Sequence, residues 1–123
     1  MSENQLVLFS KAFAVDTIQI CDTMKNRGKA AAVINQLLRS GTSIGANIHE
    51  ANYASGRSDF IFKLQIALKE CYETDYWLDV FHQAKMITDD EYKKLYSDCC
   101  KIRRILIASV NTAKNRRDQE NGK

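Results

Sequence analysis

Proline is absent from the 123 residues. Its absence removes the main interior helix breaker and points to long, uninterrupted helices. No apolar run approaches the ~18–20 residues that a membrane span needs, so no transmembrane segment and no membrane partner are expected. The first residues, Met-Ser-Glu-Asn-Gln, lack the basic and apolar regions of a signal peptide, and the expected location is the cytoplasm. Histidine is scarce. His49-Glu50 has no second histidine four residues on, as a zinc-protease helix requires, and His82 stands alone. The acids Glu70, Glu73, Asp75 and Asp79 lack the Glu-x-x-His pairing of a di-iron bundle. No histidine is placed to activate Cys71 as a nucleophile. Gly41 and Gly45 form no phosphate loop, because neither a strand nor a Gly-Lys-Ser/Thr ending accompanies them. The expectation is a nonenzymatic chain with no catalytic residue, metal or cofactor.

What is present fits a folded single domain. Hydrophobic residues make up 45% and charged residues 27%, the balance of a soluble globular chain rather than a disordered one. One domain is expected over 1–117, followed by a polar tail, 118–123, that frays. The cysteines, Cys21, Cys71, Cys99 and Cys100, match no zinc spacing and read as small hydrophobes with free thiols.

Apolar periodicity predicts four helices. The first spans about 4–26, with Leu6, Phe9, Phe13, Ile20 and Met24 inward, and ends at Gly28, suited to a left-handed residue. The second spans about 30–54, with Val33, Leu37, Ile44, Ile48 and Ala51 inward. Ser55-Gly56-Arg57-Ser58 forms a turn. The third spans about 59–85 through Phe60, Leu64, Ala67, Cys71, Leu78 and Phe81. Thr88-Asp89-Asp90-Glu91 is a capping box opening the fourth, which runs to about 115. Short turns force sequential helices to be antiparallel, giving an all-α, up-down-up-down four-helix bundle.

The densest pattern lies in residues 39–50. Arg39, Ser43, Asn47 and Glu50 stack on one helical stripe beside the apolar track. Glycine inside a helix costs about 0.8–1 kcal/mol relative to alanine. The Gly41–Gly45 pair therefore implies a closely passing backbone. With the turn centred near Gly56, Arg39 faces Glu73 (Glu70 lies one turn away), Ser43 faces Lys69 and Glu70, Asn47 faces Gln65, and Glu50 faces Lys63. A buried hydrogen-bond network and a binding surface are both open readings.

Helices 2 and 3 carry a family resemblance. The stretches are Leu38-Arg39-Ser40-Gly41-Thr42-Ser43-Ile44-Gly45-Ala46-Asn47-Ile48-His49-Glu50-Ala51 and Asp59-Phe60-Ile61-Phe62-Lys63-Leu64, continuing from Ala67 to Leu78. They resemble the four-helix-bundle proteins of 23S ribosomal RNA intervening sequences, related to the accessory variability determinant of diversity-generating retroelements. The resemblance implies a homopentameric ring without enzymatic activity. In the retroelement relatives it implies binding of nucleic acid and of a reverse transcriptase through basic surfaces.

Charge patterning bears on RNA or DNA as a partner. The net charge is only +3. Residues 99–117 nonetheless contain no acid, and residues 59–91 hold eight acids against three lysines. Lys93, Lys94, Lys101 and Arg104, with Lys114, Arg116 and Arg117 at the helix end, form a stripe that could track phosphates or simply be a solvated face. Apolar residues on second faces, Leu8, Ala12 and Val15 on helix 1 and Phe62, Ile66, Trp77 and Val80 on helix 3, either widen the core or form a subunit interface.

Overall fold

The computed structural model describes residues 2–122, with side chains described from residue 5. Four helices account for nearly all of it: α1 (Ser2–Asn26), α2 (Ala31–Ala51), α3 (Arg57–Gln83) and α4 (Asp89–Asn121). Each packs on its sequence neighbours, and α4 closes the square against α1, whereas the backbones of α1 and α3 lie across the diagonal. This is the antiparallel four-helix bundle that the short turns demand.

Helix ends follow local chemistry. Gly28 adopts φ +79°, and the Gly28 and Lys29 amides donate to Lys25 and Met24 carbonyls, a left-handed cap that ends α1. The same motif ends α3, with Lys85 at φ 60° in the position that favours glycine. At α4 the Glu91 amide donates to Thr88 Oγ1 at 3.1 Å, and the Thr88 amide donates to Glu91 Oε1 at 2.8 Å. α4 continues to Asn121, past the end that apolar periodicity predicts and into the expected polar tail. Val110 and Ala113 are buried just before this extension, which Glu120 ties back to Arg57.

Phe13, Phe81, Met24, Ile34, Leu37, Ile44, Leu64, Leu78, Ile102 and Leu106 fill the core. Three expected core residues sit elsewhere. Val33 is 36% exposed, and Ile34 takes its place because the inward track of α2 runs Ile34, Leu37, Gly41, Ile44, Ile48. Phe9 lies at the surface beneath the Lys101 ammonium, 5.0 Å from the ring centre. Phe60 is half-buried, and Ile61 takes the inward place.

The two glycines mark where α1 crosses α2. A Cβ on Gly41 would lie 2.7 Å from Thr17 Cγ2, and one on Gly45 3.2 Å from the Ser10 carbonyl oxygen. Buried hydroxyls line this crossing and the α2–α3 contact. Thr17 donates to the Phe13 carbonyl at 2.8 Å, and Thr74 donates to Ser40 Oγ at 3.0 Å. Each buried hydroxyl is thus satisfied without breaking the apolar packing around it.

Candidate functional site

The polar stripe of α2 meets α3 at the surface rather than in the interior. Arg39 is 49% exposed. Its guanidinium reaches Glu70 Oε2 at 3.1 Å and Glu73 Oε2 at 2.5 Å. The Trp77 indole donates to the same Glu73 oxygen at 3.2 Å. Hydrogen bonding to Arg39 holds the Glu73 carboxyl below the usual carboxylate range, and the two glutamates, Glu73 foremost, raise the guanidinium further. At the other end Lys63 Nζ donates to Glu50 Oε1 at 2.9 Å.

Between them the stripe differs from the expected cross-helix ladder. Ser43 donates to the Arg39 carbonyl at 2.7 Å, and Asn47 donates to the Ser43 carbonyl at 2.9 Å, so both bond back to their own helix. The buried polar contact between the two helices is Ser40 with Thr74. Its signal in the sequence is the position of Ser40 on the apolar track, between Leu37 and Ile44.

The cations of α4 lie on three tracks. Lys93 and Arg104, eleven residues apart, point outward and are exposed. Lys94, Lys101 and Arg116 lean toward α1. Lys94 is compensated there by Asp16 at 3.2 Å and Asp98 at 2.8 Å, and Lys101 covers Phe9. Lys114 and Arg117 share the α3-facing side of Arg103, and Arg117 reaches Asp118 at 3.7 Å. From Lys93 to Asn115 the exposed outward positions, including Ser97, Arg104, Ala108 and Asn111, carry no carboxylate. That face spans about 35 Å at 1.5 Å per residue.

Arg103, within the acid-free stretch 99–117, makes an ion pair with Asp75 across the α3–α4 seam. It also donates to Cys100 Sγ at 3.0 Å and lies over the Tyr72 ring. Burial pushes the Asp75 carboxyl up, against the opposing pull of Cys99 and Arg103. All four cysteines are free thiols. Burial raises Cys21 to about 11, and the hydrogen bond to Cys71 together with burial raises Cys99, so these two stay protonated at neutral pH. Among the described residues, no cluster of three His, Cys, Asp or Glu side chains is arranged to hold a metal ion.

The second apolar faces divide. On α3, Trp77 and Val80 pack against the core, whereas Phe62, Tyr72 and Tyr76 are more than half exposed. On α1, Leu8, Val15 and Ile18 are 66%, 48% and 53% exposed on the side away from the core. The two stripes lie on diagonal helices and so face different directions. No helix among the described residues is long and apolar enough to cross a membrane.

These features define a class: an all-α, antiparallel four-helix bundle with charged seams and exposed apolar stripes on opposed helices. The chain belongs to the 23S rRNA-intervening sequence protein family, whose model matches residues 3–108. It is also similar to a crystal structure of a protein of unknown function from the S23 ribosomal protein family of Bacteroides thetaiotaomicron. The two are 41% identical with a TM-score of 0.88, and the match covers 90% of this chain and 99% of that one. No curated protein matches it.

Proposed function

We propose that this chain is a nonenzymatic, self-associating bundle that binds nucleic acid or a ribonucleoprotein through the outward face of α4. The observation that supports it most is the run of exposed outward positions from Lys93 to Asn115 with no carboxylate, centred on Arg104 and flanked by Lys101 and Arg116. A cationic face about one duplex turn long can follow a phosphate backbone without reading bases. The family's name makes RNA the first probe. Lys94 is held by Asp16 and Asp98, so Lys93, Lys101, Arg104 and Arg116 carry the role.

Four cations on one chain bind weakly, and a homo-oligomer repeats them on one polyanion at high effective concentration. The exposed stripes of α1 and α3 supply the means of assembly, and the family resemblance supplies the number five. The exposed rings Phe62, Tyr72 and Tyr76 favour a second reading, a protein-only adaptor docking on α3.

The test is RNA binding by fluorescence anisotropy across a salt series. With about four phosphate contacts to a single strand, affinity should fall about 50-fold between about 50 and 200 mM salt. K101E/R104E should abolish binding while the bundle stays folded in thermal melts, because both residues are exposed and outside the core, and the loss is confined to the cover of Lys101 over Phe9. Wild-type protein that leaves RNA free at low salt refutes nucleic-acid binding and leaves the adaptor.

A further inference from the structure

The last turns of α4 lean over the α2–α3 turn and leave an open cleft of about 560 Å³, lined by Asn52, Arg57, Phe60 and Glu120 among others. Glu120 is the acid in this cleft, and its two carboxylate oxygens accept from Arg57 Nε and Nη2, both at 3.4 Å. Arg116 and Arg117 precede Glu120 by four and three residues, so they share its side of the helix. Arg57 is the arginine that lines the cleft, and a carboxylate of the same chain occupies it, while Arg116 and Arg117 flank Glu120 on α4 beside it. These α4 residues lie beyond the 3–108 family match.

We propose that this cleft is a phosphate-group site that Glu120 holds closed. A nucleic-acid backbone phosphate displaces the Glu120 carboxylate from Arg57, and Arg57 then joins Arg116 and Arg117 in contacting the strand. This deepens the nucleic-acid reading above and rests on it.

The strength of the clasp suits displacement. Its side chains are 37% and 58% exposed and its contacts are long, so it belongs to the weak class of surface ion pairs. A buried pair would resist opening, because separation would strand a charge out of water. Here water solvates Glu120 as it leaves, while a phosphate offers Arg57 a doubly charge-assisted contact in its place.

The experiment compares full-length wild type, E120Q, R57Q, R57Q/E120Q and K101E/R104E for binding of a single-stranded RNA across a salt series, with thermal melts to verify folding. E120Q should bind about threefold tighter, as loss of a surface pair implies, with an unchanged salt slope because the number of phosphate contacts is the same. R57Q should lower the slope by about 0.7, one phosphate contact to a single strand, and the double variant should behave as R57Q. A wild-type slope in R57Q, or wild-type affinity in E120Q, overturns the clasp. If that happens while K101E/R104E still abolishes binding, the nucleic-acid reading stands without it. If no variant binds RNA at low salt, E120Q included, both readings fall.

Discussion

Two glycines set the distance between α1 and α2, and each meets a different obstacle. At Gly41 the obstacle is the Thr17 side chain, itself 1% exposed and tied to the Phe13 carbonyl. At Gly45 it is the backbone of Ser10. A methyl group at position 41 would sit well inside van der Waals contact with both branches of Thr17, so Thr17 must turn or α1 must move. Overpacking of this kind costs about 1–3 kcal/mol, and the better helix propensity of alanine returns only about 0.8–1. Gly41→Ala should therefore destabilise the fold by about 1 kcal/mol in urea denaturation. Adding Thr17→Ala removes both branches, leaves the Cβ of residue 17 at 3.2 Å, and should recover part of the loss. Equal additive losses in the double variant would mean that the two residues do not meet.

The helix ends of this bundle are legible wherever a capping residue marks them. Gly28 and the Thr88–Glu91 box are recognisable in the sequence because each satisfies free backbone groups by itself. Lys85 is harder to read, since the left-handed residue is a lysine where glycine is favoured. A non-glycine residue there carries strain of about 1 kcal/mol. Lys85→Gly should raise the urea midpoint by the equivalent of about 0.5–1 kcal/mol at matched protein concentration. No change would mean that the lysine side chain compensates the strain. Past Ala113, its last buried residue, α4 runs through polar positions with no apolar periodicity, which is why its course to Asn121 is not legible; Glu120 ties it to Arg57. Pairing follows the same division. The tight turn at Gly56 places Arg39 beside Glu73 and Glu50 beside Lys63. Lys94 reaches Asp16, 78 residues away, and Arg103 reaches Asp75 across the other seam, and no local rule foretells either.

At the scale of the whole molecule, the decisive feature is the direction of the exposed apolar stripes. A two-fold contact through α1 would bury Leu8, Val15 and Ile18 and leave Phe62, Tyr72 and Tyr76 in water. A head-to-tail contact, α1 of one copy on α3 of the next, covers both sets in every copy of a closed ring. Such assembly also spaces the α4 cationic faces regularly around one particle, as the avidity argument requires. Light scattering at micromolar concentration should give a particle several times 14.0 kDa. V15E/I18E should reduce it to a single chain that stays helical, because both positions are about half exposed in the isolated bundle and lie outside its core. The same variant should weaken RNA binding severely despite altering no cation of α4. A wild-type particle of 14.0 kDa would refute assembly, and RNA binding that survives dissociation would show that one bundle suffices.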